Sequence, residues 1–374
     1  MIYYDGQPLI DACPDAKYRV LFGERSNGKT SFCLERILQR YTQGKGQGAI
    51  IRRWEEDVRG AKGQQVWSSI ADERGLVKKY TKGEWETVVY QSRQWYFARW
   101  DEDLQRMVKD SQPFCFAFSL TQAEHYKSQA YPFITMILFD EFISPIASGS
   151  YLPDEFSLFQ SICSTIIRQR NDVEIWMCGN TVSKYNPYFE EMRLKNARKM
   201  EAGTIEVYEF KNGKNVNKVA VERTAHTDKH SKASDVYFQF DDTGSKMITQ
   251  GDWDIGSYPH CPMKIKDKNI IYKIFIEYHD DLFQGDVVLQ DGCLFLFIHE
   301  KTTEMKDDKY PFYKLEFSPL RNHYVDPTVN YGDNVSLKIA SLFRTQKVFF
   351  QNNDVGDAIC NYINDARNYN YMNL

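Results

Sequence analysis

Residues 21–32 read LFGERSNGKTSF. Gly23 is followed, after four residues, by Gly28, Lys29 and Thr30. The run before it, KYRVLFG (17–23), is short, apolar and ends at a glycine, as a buried strand does. The run after it, TSFCLERILQRY (30–41), places Phe32, Leu34, Ile37, Leu38 and Tyr41 near helical spacing. A glycine loop between a strand and a helix is the setting of a phosphate-binding loop. Glycines permit the dihedrals that let backbone N–H groups curl around a phosphate, and the helix N-terminus adds partial positive charge. In that reading Gly23, Ser26, Asn27, Gly28 and Lys29 cradle the nucleotide, Lys29 reaches the β- and γ-phosphates, and the Thr30 hydroxyl ligates Mg²⁺. The plain alternative is a glycine turn that happens to carry a lysine.

A second stretch bears on that choice. FITMILFDEF (133–142) is an apolar strand ending in Asp140 and Glu141. Carboxylates at the C-terminal end of a strand face the crevice where open α/β sheets bind ligands. Asp140 is expected to hold Mg²⁺ through water, and Glu141 to orient or deprotonate an attacking water. GAIIRRW (48–54), FCFAFSL (114–120) and VEIWMCGNT (173–181) read as further short strands. The fold expected for residues 1–207 is therefore α/β, a mostly parallel sheet with helices on its faces. Residues 79–100 alternate instead, and read as an antiparallel insertion carrying Trp85, Trp95 and Trp100.

EFSLFQSICSTIIRQR (155–170) puts Phe156, Phe159, Ile162, Cys163, Ile166 and Ile167 on one helical face, with Arg168 and Arg170 at its far end. Those arginines either satisfy the helix C-terminus or include an arginine finger that enters a neighbour's nucleotide site. Asn180 ends the next strand, where an amide either senses the γ-phosphate or caps a turn.

The bulk properties narrow the class. At 374 residues the chain implies two or three domains. Its 42% hydrophobic and 26% charged residues suit a water-exposed globular protein. A net charge of −4 gives no general argument for nucleic-acid binding, so any basic surface must be local. None of the eight cysteines forms a C-x-x-C pair, which argues against structural zinc and, with the chain length, for a reducing compartment. No run approaches ~20 apolar residues, and the first residues lack a signal-peptide pattern, so neither a membrane span nor a membrane partner is expected.

Taken with their order, GERSNGKTS (23–31), IIRRW (50–54), YKSQAYP (126–132), ILFDEFI (137–143), YLPDEFSLFQSICSTIIRQR (151–170) and NTVSKYNPYF (180–189) resemble the DNA-packaging ATPases of small tailed phages, the phi-29-like genome-packaging motors. The resemblance covers most of the first 190 residues. It implies a P-loop NTPase of the additional-strand, catalytic-glutamate type, driving double-stranded DNA into an empty procapsid. It implies a homo-oligomeric ring, a pentamer, on the portal (connector) in the host cell cytoplasm, transiently at the portal vertex, with a packaging RNA as a further partner. Arg168 then corresponds to the family's trans-acting finger, Lys127 to a basic residue at the subunit interface, Arg25 to an arginine near phosphate or Glu141, and Asn180 to a coupling residue. Glu24 departs from the pattern, replacing a small residue. A carboxylate there must point away from phosphate or pair with Arg25.

Residues 208–255 read as a linker or hinge. Within 210–235, Lys211, Lys214, Lys218, Arg223, Lys229 and Lys232 face only Glu222, Asp228 and Asp235. The segment is either solvated chain or a lining that touches DNA phosphates without reading sequence. Residues 256–374 read as a small α+β domain. IIYKIFIEYHDDLFQGDVVLQDGCLFLFIHE (270–300) is a three-strand meander, followed by a helix (334–345), a strand (346–351) and a closing helix (354–368). The order resembles an RNase-H-like fold, a vestigial nuclease in the phi-29-like group. Glu277 and Asp286 on strands, and Asp280, Asp281 and Asp291 at turns, are its candidate metal carboxylates.

Overall fold

The computed structural model describes residues 4–144, 151–225, 240, 245–246, 252–303, 309–316 and 318–372. The chain divides into two units, Met1–Asp254 and Ile255–Leu374.

In the first unit a short helix α1 (Gln7–Ala12) precedes β1 (Tyr18–Gly23), in which Val20, Leu21 and Phe22 are fully buried. Helix α2 (Lys29–Thr42) follows the glycine loop. Its buried stripe of Cys33, Leu34, Ile37 and Leu38 repeats at the three- to four-residue spacing that lays one helix face on a sheet. Gly28, left-handed at φ 98°, is its N-cap, and a glycine brings no side chain to satisfy the first-turn N–H groups. The next elements are β2 (Gln47–Arg52), α3 (Gly60–Gln65), α4 (Leu76–Tyr80), β3 (Thr87–Gln91), β4 (Gln94–Asp101), β5 (Arg106–Lys109), β6 (Cys115–Ser119) and β7 (Ile134–Asp140). Then come α5 (Glu155–Ile167), β8 (Glu174–Asn180), α6 (Pro187–Glu191), β9 (Thr204–Asn212) and β10 (Asn215–Arg223).

The sheet order is β3-β4-β6-β2-β7-β8-β1-β10-β9, with β5 added on β4. Pairs from β6 through β10 are parallel, and both ends are antiparallel. The mixed α/β class expected from the sequence is therefore present, and residues 79–100 supply the antiparallel extension at one end. Parallel order places Gly23, Arg52, Asp140 and Asn180 at the same, C-terminal edge of the sheet. Beneath that edge Trp67, Trp95 and Phe114 form an aromatic core, while Trp100 stays half-exposed.

One expectation needs correction. Residues 208–223, read as linker, are the ends of β9 and all of β10. The segment's apolar signal is short: of β10 only Val219, Ala220, Val221 and the polar Glu222 are buried, between β1 and β9. Lys229 and Lys232 lie outside the described residues.

In the second unit, β11 (Ile270–Tyr278), β12 (Asp281–Gln290) and β13 (Cys293–Glu300) form the expected antiparallel meander. The sequence did not signal the two-residue strands β14 (Phe312–Tyr313) and β15 (His323–Tyr324), which add in parallel beside β11. Helix α7 (Asn334–Arg344) is capped by Asp333, whose carboxylate accepts from Val335 and Ser336 N–H at 2.8 Å. Strand β16 (Val348–Phe350) pairs in parallel with β13. Helix α8 (Asn353–Met372) buries Val355, Ala358, Ile359, Tyr362 and Ala366, and its Asp365 accepts from the Tyr278 hydroxyl at 2.6 Å.

Candidate functional site

The C-terminal edge of the first sheet carries a cleft of about 400 Å³. Arg25, Ser26, Asn27, Gly28, Lys29, Thr30, Asp140, Glu141 and Asn180 line it, so nine sequence-derived candidates converge on one space. Gly23 lies at its base, where its carbonyl is 3.5 Å from Lys29 Nζ.

Lys29 is 5% exposed. Its ammonium donates to Glu24 O at 2.6 Å, Asn27 Oδ1 at 3.2 Å, and Gly23 O and Asn180 Oδ1 at 3.5 Å, all uncharged oxygens. Burial pushes its pKa down to about 8 from 10.5. A buried cation at the mouth of a helix N-terminus is a strong attractor for an anion. Glu24 is buried, and its backbone carbonyl meets Lys29.

Thr30 and Asp140 meet as expected, Oγ1 to Oδ1 at 2.8 Å. A hydroxyl beside a buried carboxylate is a pair of hard oxygen donors, the chemistry that suits Mg²⁺. Glu141 stands just beyond β7 with φ 60°, a left-handed conformation that costs a non-glycine residue of order 1 kcal/mol. Its side chain remains 63% exposed, at the cleft wall.

Two arginines complete the edge, and neither was singled out from sequence. Arg52 forks between the carboxylates, Nη2 to Asp140 Oδ2 at 2.6 Å and Nη1 to Glu141 Oε2 at 2.8 Å. Arg53 turns the other way. It pairs with Glu155 through two bonds of 2.8 and 2.9 Å and donates to Phe142 O, Ser144 Oγ and Glu141 O. The signal was available in IIRRW: two arginines at the C-terminal end of a buried strand, one per face by strand alternation.

Arg168 and Lys127 are elsewhere. Arg168, exposed and left-handed at φ 49°, donates from Nη2 to Gln129 O at 2.8 Å. Lys127, two residues from Gln129, is 53% exposed and pairs with Glu124. Arg168 therefore lies by the N-terminal ends of β7 and β8. Strands of seven residues separate that edge from the cleft by roughly 20 Å. Arg170 instead satisfies its own helix end, donating to Ile166 O at 2.8 Å as well as to Tyr131 and Pro132 carbonyls.

The second unit does not gather its carboxylates. Lys273 stands opposite Asp286, and Glu277 lies four residues further along β11, about 13 Å away. Asp286 is buried and bonded to Gln284 and His299, while Asp280 and Asp291 adopt left-handed turn conformations. Among the described residues, no three His, Cys, Asp or Glu side chains are placed to share a metal ion.

Comparison with known proteins agrees with this picture. Residues 101–247 match the family described as Podovirus DNA encapsidation protein (Gp16). The DNA packaging proteins of Bacillus phages phi29 and PZA are each 26% identical over 188 residues, half of this chain and 49% of theirs. That of Bacillus phage B103 is 37% identical over 73 residues, 20% of this chain and 23% of its own. The chain thus spans about half the length of the curated relatives it matches. Among solved structures, the bacteriophage phi-29 genome packaging motor assembly superposes with a TM-score of 0.57 at 19% identity, covering 98% of this chain and all of that one. This likeness is one of fold. The resemblance to phi-29-like packaging proteins is borne out in sequence and in overall fold.

Proposed function

We propose that the chain is an ATPase of the P-loop, additional-strand type that drives double-stranded DNA into a viral procapsid as one subunit of a ring. The observation that carries the reading is Lys29: a buried ammonium met only by neutral oxygens, at a helix N-terminus, with Thr30, Asp140 and Glu141 in the same cleft. Backbone N–H groups of residues 25–30 would receive the phosphates, and Lys29 would exchange its carbonyl partners for β- and γ-phosphate oxygens. Thr30 and Asp140 would hold Mg²⁺, which supplies charge neutralisation to the phosphates. Glu141 would accept the proton of the attacking water. Arg52 holds one oxygen of that carboxylate, Oε2, at 2.8 Å and so would orient it at the cleft wall. Asn180 Oδ1 stands 3.5 Å from the same ammonium, where its amide would sense the γ-phosphate.

Arg168 lies too far from its own cleft to act there, which supports a role on a neighbour's nucleotide and hence a ring whose sites are shared between subunits. Lys127, half-exposed and paired with Glu124, would serve the same junction through the family likeness. The portal, DNA, a packaging RNA, the pentameric number and a place at the procapsid in the host cytoplasm enter through the likeness to the phage packaging proteins alone. The meander with strands added in parallel to it supports an RNase-H-like second unit, and the scattered carboxylates there favour a vestigial rather than a cutting domain.

The test is subunit mixing. Arg168→Ala and Lys29→Ala should each abolish DNA-stimulated ATPase activity, and mixing the two should restore part of it, because mixed junctions pair an intact loop with an intact finger. Glu141→Gln should retain ATP binding while turnover falls on the order of 10²-fold or more. Activity that is independent of protein concentration and unrestored by mixing would remove the shared site, and unchanged hydrolysis in Glu141→Gln would remove the base.

A further inference from the structure

We propose that Thr224, just past the end of β10, is a positioning residue for the phosphate loop, so that nucleotide affinity is set in part by a strand 200 residues away in sequence. The inference rests on the nucleotide-binding reading of the cleft. Thr224 is 1% exposed and extends the β1–β10 ladder, its N–H donating to Phe22 O at 2.9 Å. Its hydroxyl donates toward the same carbonyl at 3.4 Å and accepts from Asn27 Nδ2 at 2.9 Å.

That last bond decides which way the Asn27 carboxamide faces. With its NH₂ on Thr224, its oxygen is turned to Lys29, 3.2 Å from Nζ and 3.3 Å from the backbone N. The relay therefore runs from Thr224 through Asn27 to both Lys29 donors that a phosphate oxygen would engage. Thr224 also touches the other end of the loop. A Cβ on Gly23, itself at φ 150°, would fall 2.3 Å from Thr224 Oγ1. One hydroxyl thus abuts the first residue of the loop and bonds the last one before Gly28. Between them the chain runs through Ser26 at φ 59°, a conformation that needs external support. A loop held in its binding shape before the ligand arrives spares the ordering cost at binding.

The chemistry is specific enough to separate from general packing. Thr224→Val keeps the branched shape and removes the acceptor, while Thr224→Ser keeps the hydroxyl. In the full chain, calorimetric titration with Mg·ATPγS should show Thr224→Val binding about ten-fold more weakly, equivalent to about 1.4 kcal/mol. Its KM for ATP should rise by a similar factor with kcat within about two-fold, the mark of lost binding rather than lost chemistry. Thr224→Ser should bind as the parent does. Asn27→Ala should match Thr224→Val, and the double variant should bind no more weakly than either, since the two act as one unit. Asn27→Ala also serves should the valine variant not fold. Parental affinity in Thr224→Val, weak binding in Thr224→Ser, or additive losses in the double variant would overturn the proposal. If Lys29→Ala binds as well as the parent, the nucleotide site itself is misplaced and the role of Thr224 falls with it.

Discussion

Replacing Arg53 by methionine separates what holds the fold from what holds the cleft edge. Arg53 is 6% exposed and its partner Glu155 has no exposed side-chain surface. The arginine makes two bonds to Glu155, one each to Phe142 O and Ser144 Oγ, and a longer one to Glu141 O. Without it the carboxylate keeps, among the described residues, the Tyr188 hydroxyl and the Leu152 N–H. Breaking one side of a buried ion pair costs about 3–5 kcal/mol, most of it from the charge left behind. For a unit of this size that is a fall in Tm of roughly 6–20 °C, at about 2–4 °C per kcal/mol. All seven tryptophans lie in the first unit, so tryptophan fluorescence during urea unfolding reads that unit alone. Arg53→Met with Glu155→Leu removes both charges, and a buried pair replaced by apolar groups is often close to neutral. The double variant should therefore regain at least half of the lost stability. Its ATP turnover should stay about ten-fold or more below the parent, because the carbonyls that set the backbone of Glu141 and Phe142 have still lost their donor. A cost below ~1 kcal/mol in Arg53→Met, or turnover that recovers in step with stability, would refute the assignment.

Two pH experiments follow from the buried groups. The Lys29 pKa is lowered to about 8, so the unfolded chain holds that proton more tightly and the penalty is fully present below pH 8. Stability should rise from pH 8 to 10.5 by roughly 3 kcal/mol at most, from 1.36 kcal/mol per pKa unit, and Lys29→Met should flatten that rise. Nucleotide binding should weaken above pH 8 with proton uptake, measured by calorimetry in buffers of different ionisation enthalpy. In the second unit, His299 is held above its usual pKa by its bond to Asp286, against the opposing effect of burial. Asp286 is held below its own, its bonds to His299 and Gln284 outweighing burial. The histidine's contribution is lost as pH rises through its raised pKa, and the aspartate's as pH falls through its lowered one. Asp286→Asn should therefore cost most between pH 3.8 and 6.5, about 1–3 kcal/mol, and less at pH 8, read from amide exchange in β12 and β13. A cost that does not change with pH would show the pair to be uncharged.

What could be read from the sequence tracks how local the determinant is. The glycine loop, β7 with its two acids and the stripe of α2 are each specified within about ten consecutive residues, and each folds where expected. Strand β10 has no such autonomy. Its three buried apolar residues become a strand because β1 offers an edge to pair with, a fact about residues some two hundred positions earlier. Arg52 and Arg53 were visible as a doublet, but their partners Asp140, Glu141 and Glu155 come from elements about 90 to 100 residues on. The Asp286 environment was likewise hidden, since His299 meets it only across the β12–β13 register.

The same geometry constrains how any motor of this kind is built. The glycine loop, Asp140 and Glu141 stand at the C-terminal edge of the parallel strands, the edge at which open α/β sheets bind ligands. Arg168 ends a helix that returns antiparallel to those strands, so its tip must emerge at the opposite edge. No rotamer of an arginine, reaching about 7 Å, spans the ~20 Å between edges. If Arg168 serves a phosphate at all, it serves one on another copy, and the subunits then pack with the N-terminal edge of one sheet against the cleft of the next. An isolated subunit would therefore bind nucleotide with its own residues yet hydrolyse it slowly. Rapid hydrolysis by a demonstrably monomeric chain would require the finger to be a different residue.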